Sequence, residues 1–335
     1  MKLRAFCDVL EKLAPTRYAA KWDNVGLLLE PADCFVERVL LTNDLTSRVM
    51  KEAVDFKANI IISYHPPLFR EFKRISQDNW KDRIVTECLK HNIAIYSPHT
   101  AHDAWAEGVN AWLIEGIIGH SNHSPISPTI DSRETYEISG KVAESVNRKS
   151  FRKHFNKTKI SDSGDISGRI FKRDLPKLSE KYLSEIENFQ LLCLGSLPVV
   201  GTGMGRKGEL AEQMKLNDIV DITKKHLKLA NLRLVTANDK TSEDMVSTVA
   251  VCAGSGASVL SHAGKVDLWI TGEMGHHEAL DAHENNTSVI LAEHSNTERG
   301  FLESFKAKLM DNEQIKKRDI QFVVSDVDSD PIKVV

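Results

Sequence analysis

The sequence predicts an α/β protein built as two similar layered α/β halves around a shared cleft, with an intervening segment between them. Three observations predict it. Short runs of aliphatic residues alternate with longer amphipathic stretches, the pattern of buried strands covered by helices. The alternation occurs twice, near each end of the chain, on either side of a region richer in polar and turn-forming residues. In both halves, residues capable of chemistry follow directly on the apolar runs, where open α/β sheets carry their exposed loops.

The first half is read over residues 1–120. Val39-Leu40-Leu41 is a strand, followed by Thr42-Asn43-Asp44 and a helical stretch through Ala58. Ile60-Ile61-Ile62-Ser63 is a second strand, ending at Tyr64-His65-Pro66-Pro67. A helix after Asn79 reaches His91, and Ile93-Ala94-Ile95-Tyr96 forms the third strand. Pro98-His99-Thr100-Ala101-His102-Asp103 closes that strand and precedes a helix over Ala104–Glu115. Residues 121–192 read as an intervening or inserted region. Its basic run, Arg148-Lys149-Ser150-Phe151-Arg152-Lys153-His154, is expected to be a solvated surface helix, and Lys172–Glu187 a solvent-facing helix or connection.

The second half, residues 193–335, repeats the order of the first. Val249–Cys252 runs into Ala253-Gly254-Ser255-Gly256 and a helix, and Asp267–Ile270 into Thr271-Gly272-Glu273-Met274-Gly275-His276-His277 and a helix. Val289–Ala292 runs into Glu293-His294-Ser295-Asn296-Thr297-Glu298 and a helical stretch over Phe301–Leu309. A structural duplication is therefore expected, argued from order and chemistry rather than from residue identity.

Composition narrows the function classes. A chain of 335 residues can bury substantial cores without disulfides or a structural metal. Its five cysteines form no tight cluster, and their odd number precludes complete internal pairing, which suits a reducing compartment. No apolar run approaches the ~20 residues of a membrane span, and Asp8 and Glu11 interrupt the start of the chain, so a soluble protein is expected. A formal charge of −3 exerts no global pull on nucleic acid, and no repeated aromatic platform accompanies the basic run. Direct nucleic-acid binding is disfavoured.

The residues left for chemistry are imidazoles and carboxylates. His294 and Glu298 lie four positions apart, so they share a helix face or converge at a strand-to-helix turn. His65 is held between Tyr64 and two prolines, a rigid turn that can aim an imidazole. Asp103 stands at the next strand's exit, where a carboxylate can bridge two cations; helix capping is the competing reading. Tyr64 suits packing or hydrogen bonding better than ligation, because a phenol stays protonated near neutrality. His277 is a candidate proton-transfer group and Glu273 a candidate for positioning water, each against a structural role. Gly201-Thr202-Gly203-Met204-Gly205-Arg206-Lys207-Gly208 offers either an anion cradle or a loop of demanding geometry, and matches neither a P-loop nor a dinucleotide fingerprint. No Gly-x-Ser-x-Gly elbow and no paired-cysteine spacing is present, which favours a mixed nitrogen and oxygen metal centre.

On Ser63–Phe69, Ser97–Asp103, Gly203–Gly208, Thr271–His277 and Glu293–Gly300 the chain resembles the GTP cyclohydrolase I type 2 family and its eukaryotic NGG-interacting-factor-like branch. The matching segments occur in the family's order across nearly the whole chain. By this resemblance His65, Asp103, His294 and Glu298 fall on ligands of a dimetal centre, and His277 on a recurrent histidine. The family often has His-His-Pro where this chain has Tyr64-His65-Pro66, so one familiar ligand is replaced by tyrosine, as in the animal branch. The resemblance also implies a toroidal homo-oligomer, often a hexamer, transcription-related protein partners, and a cytoplasmic, mitochondrial or nuclear location.

The leading functional expectation is a divalent-metal-dependent hydrolase acting on a nucleotide or another phosphorylated small molecule, with two ions of zinc, iron or manganese and GTP cyclohydrolase-like ring opening as one version. The alternative is a metal-binding oligomeric scaffold or transcription-related interaction factor without appreciable turnover.

Overall fold

Ile60, Ile61 and Ile62 are all within 1% of full burial, as the uninterrupted apolar run requires of a strand covered on both faces. In the computed structural model, which describes residues 1–119, 122–130, 135–194 and 198–333, that run is the strand Ile60–Ser63. It pairs in parallel with Arg38–Thr42 on one side and Ala94–Ser97 on the other. The helices Ser47–Asp55 and Trp80–Lys90 connect these strands, the first capped by the Thr46 hydroxyl and the second by the Asn79 side chain. Gly26–Leu29 lies antiparallel on the far side of Ala94–Ser97.

The second sheet is assembled in the same way. Met245–Ser255, Leu268–Glu273 and Ser288–Leu291 are mutually parallel neighbours, and Arg233–Val235 runs antiparallel along Ser288–Leu291. In each sheet a short strand precedes the three connected parallel strands in the chain and pairs antiparallel with the last of them. The expected duplication is thus a duplication of topology. Arg206–Lys215 and His123–Ser124 extend the second sheet beyond Met245–Ser255.

Two details differ from the sequence reading. The C-terminal strand Gln321–Val324 joins the first sheet, parallel to Arg38–Thr42, rather than staying with the second half. Its Phe322 packs near Phe6, ring centroids 6.4 Å apart, and the strand covers an edge that would otherwise expose unpaired backbone groups. The helix expected over Ala104–Glu115 is broken into Thr100–Ala104 and Val109–Ile118. At Gly108 the chain doubles back so tightly that a Cβ would lie 1.9 Å from the His102 carbonyl oxygen.

Two compact units are present, one of residues 1–128 with 200–335 and one of residues 129–199. The expected boundary at residues 120–121 lies outside the described residues. The smaller unit holds a four-stranded antiparallel sheet in the order Ile186–Leu194, Thr135–Val142, Asp165–Phe171, Thr158–Ile160. It has its own core, which includes Ile138, Phe151, Phe155, Ile166 and Tyr182. The basic run is the helix Arg148–His154, anchored by fully buried Phe151. Among the described residues no helix is long and apolar enough to cross a membrane.

Candidate metal centre

Polar loops follow the carboxyl ends of Arg38–Thr42, Ile60–Ser63 and Ala94–Ser97 in the first sheet and of Met245–Ser255, Leu268–Glu273 and Ser288–Leu291 in the second. After Arg38–Thr42 and Ile60–Ser63 the two chains stay side by side, Tyr64 N–H donating to the Thr42 carbonyl and His65 N–H to that of Asn43. This rigid continuation aims His65. In the second sheet the turn after Ser288–Leu291 places Glu293 at φ 65°, and the Thr297 hydroxyl donates to the His294 carbonyl at 2.7 Å. The same hydroxyl accepts from Gly254 N–H at 2.8 Å. Gly254 is required to be small: a Cβ there would lie 2.8 Å from Glu298 Oε1 and 2.9 Å from His294 Nε2.

These loops bring His65, His294 and Glu298 together, with one donor atom from each within 4.8 Å of the others. Glu298, 3% exposed, turns one oxygen to each imidazole: His65 Nε2 is 3.4 Å from Oε2, and His294 Nε2 is 3.4 Å from Oε1. The other ring nitrogens are taken by carboxylates. His65 Nδ1 lies 3.0 Å from Asp44 Oδ1, and His294 Nδ1 lies 2.8 Å from Glu273 Oε1. A proton on each Nδ1 then donates to its carboxylate and leaves the Nε2 lone pair free, the tautomer that metal-ligating histidines adopt. The group could hold a metal ion.

The donor chemistry fits a cation. Two imidazoles and a carboxylate suit borderline divalent metals, and no thiol belongs to the group. Asn43 donates to Glu298 Oε2 at 3.0 Å, while its own Oδ1 is buried with no hydrogen-bond partner among the described residues. Burial opposes charge on His65, yet Glu298 and then Asp44 hold its pKa up at about 10, so the metal-free chain keeps a proton there.

The other expected residues are distributed around this group. Asp103 lies outside it. Its carboxylate accepts from the Tyr64 hydroxyl, and burial pushes it up to about 6 with Glu298 adding to the rise. Burial and the Asp103 charge hold the Tyr64 phenol well above its ordinary range, so it acts as a hydrogen-bond donor. Asn110 ties the two sheets' loops together, donating to the Asp103 carbonyl at 3.1 Å and accepting from Ala253 N–H at 2.8 Å. Glu273 is found on His294, where it orients the ring. His277 is exposed near the start of the helix His276–Glu284, and its ring contact is with His276. His99, at φ 34°, lies with its ring 5.3 Å from that of His65 and its Nδ1 2.7 Å from Asp23 Oδ1. Burial lowers the pKa of His102 to about 3, and this imidazole packs 4.4 Å from the Phe305 ring.

Asp44, Asn43, Asp23 and Gly254 carry roles that their residue types did not announce. The available signal was position, since each lies beside a strand end or a site loop. The glycine-rich segment takes the structural alternative. The buried Arg206 guanidinium donates to the carbonyls of Gly201, Gly203, Gly205 and Trp105, so it has no fork left for phosphate.

Residues 1–331 match the family model Duf34/NIF3 (NGG1p interacting factor 3). Human NIF3-like protein 1 is 39% identical over 355 residues, covering 100% of this chain and 93% of the relative. NGG1-interacting factor 3 of Saccharomyces cerevisiae is 31% identical over 338 residues, covering 97% and 94%. Among solved structures, a Staphylococcus aureus protein superposes with a TM-score of 0.82 at 25% identity, covering 100% of this chain and 99% of that one. A Bacillus cereus protein related to NIF3 gives 0.77 at 24% identity, with 100% and 99% covered.

Proposed function

This chain belongs to the Duf34/NIF3 family, and from that premise we propose that it is a metal-binding protein interaction factor whose metal centre is held by His65, His294 and Glu298. The observation that carries the reading is the pairing of each imidazole's Nδ1 with a carboxylate while both Nε2 atoms face Glu298. Relatives named as interaction factors support the partner half of the proposal. A transcription-related protein partner, a nuclear, cytoplasmic or mitochondrial location and a homo-oligomer, up to a hexamer, belong to the same proposal. Two divalent ions of zinc, iron or manganese are proposed, with Asp103 as the further carboxylate. Metal analysis of the purified protein tests this. Wild type should carry metal, His65→Ala and Glu298→Ala should each lose it, and unchanged stoichiometry in both variants would overturn the centre.

A second reading, a hydrolase acting on a nucleotide or another phosphorylated small molecule, is favoured by the placement of the site. It lies at strand ends, with His65 and His294 each partly open to solvent. A bound divalent cation supplies Lewis-acid activation of water. Asp44 and Glu273 hold the imidazole tautomers, Asn43 fixes Glu298, and Tyr64 holds the Asp103 carboxyl. Candidates for moving a proton are His99, beside His65, and His277. Nucleotide turnover that survives both His65→Ala and Glu298→Ala would overturn the hydrolase reading.

A further inference from the structure

Trp22 is 66% exposed beside a buried polar site, an expensive place to leave an indole. It is also held rigidly. Asp23 accepts from Thr100 N–H at 3.1 Å and pairs with His99, while Asn24 donates to the Leu68 carbonyl. The two residues that follow the indole in the chain are therefore fastened to loops that flank the candidate metal centre.

The rings form a continuous path to that centre. Trp22 meets His99 edge-on at 6.0 Å, and His99 meets His65 at 5.3 Å. On its other side Trp22 meets Phe69 at 6.2 Å. Phe69, 43% exposed, opens a cavity of about 820 Å³ whose wall includes the cations Arg70, Lys73 and Arg74 and the carboxylates Glu71 and Asp82, the latter occupied by Ser76 N–H and the Asn79 amide. Arg70, Lys73 and Arg74 have no ion-pair partner among the described residues. A fixed aromatic face with unpaired cations beyond it matches a ligand with a planar ring at one end and an anion at the other.

The geometry points to a nucleoside monophosphate site, with the base stacked on Trp22 next to His99 and the phosphate held by the Arg70–Arg74 segment. This assignment rests on the hydrolase reading in placing the ligand at the metal centre. Binding itself requires no turnover.

Calorimetric titration of the full-length, as-isolated protein tests it with four probes: adenosine and guanosine 5′-monophosphates, adenosine, and ribose 5-phosphate. Both nucleotides should bind saturably, with adenosine and ribose 5-phosphate weaker by about tenfold or more. Trp22→Ala should bring nucleotide affinity down to that of ribose 5-phosphate, and Trp22→Phe should restore most of it, at unchanged metal content and Tm. Changing both Arg70 and Lys73 to Ala should weaken the nucleotides and leave adenosine unaffected. The proposal is overturned if no probe binds saturably or if Trp22→Ala binds nucleotides as wild type does. It is also overturned if Trp22→Ala changes only the size of the assembly, which would make the indole a protein contact. Turnover in the metal-ligand variants judges the hydrolase reading separately.

Discussion

Glu298 is the most constrained residue of the centre, because it is buried and shared by two imidazoles and one amide. Its position depends on a residue without a side chain. Gly254→Ala would place a methyl group against both Glu298 Oε1 and His294 Nε2, at a φ of +66° that L-residues disfavour. The backbone term alone should cost about 1–2 kcal/mol, and the displaced ligands should lower metal affinity. Urea unfolding and metal analysis read the two effects independently; a variant that keeps wild-type metal content would show that the loop can yield. Residue type together with placement after apolar strands marked His65, His294 and Glu298, and marked Asp103, Glu273 and His277 with them. It did not mark Asp44 or Gly254, whose importance comes from what lies across from them.

At the scale of elements, the strands are held by polar groups at their ends as well as by apolar faces. The Asp267 carboxylate, just before Leu268–Glu273, accepts from Ser247 N–H at 2.9 Å, Thr248 N–H at 3.0 Å and the Thr248 hydroxyl at 2.9 Å on the neighbouring strand. Burial alone would raise its pKa, but these three donors outweigh it and hold the group below its ordinary 3.8. A depressed folded-state pKa contributes stability that is present above the unfolded value and is lost as pH falls through the folded one. Asp267→Ala should therefore destabilise by about 1–3 kcal/mol at neutral pH. The gap from wild type should close as pH drops below about 3.8, which unfolding curves across that range will read. The glycine-rich segment around Arg206 makes the complementary case. Arg206→Ala leaves buried carbonyls of Gly203, Gly205 and Trp105 without their donor and should cost about 3 kcal/mol or more. Loss of stability by less than about 1 kcal/mol would mean that water replaces the guanidinium.

Over the whole molecule, the 129–199 unit has a core of its own, separate from the cores of the unit that contains the candidate metal centre. Phe151→Ala, at a fully buried position, should destabilise that unit by about 3–5 kcal/mol through transfer and cavity terms. Hydrogen exchange should show the loss confined to residues 129–199, with metal content unchanged. Opening of both units together would show that they are coupled. The strands at Val39–Leu41, Ile60–Ser63 and Val289–Ala292 were legible in the sequence, because a strand buried on both faces needs an unbroken apolar run and such a run is a local property. The repeated order of strand, polar loop and helix was legible for the same reason, and with it the two-halved α/β fold. Pairing between segments distant in sequence is not local. Only the tertiary structure decided that Gln321–Val324 completes the first sheet, that Arg206 spends its two terminal nitrogens on carbonyls, and that Asp44 and Glu273 each take one nitrogen of a histidine. Those outcomes depend on distances of a few ångströms between loops far apart in the chain, and folding alone sets them.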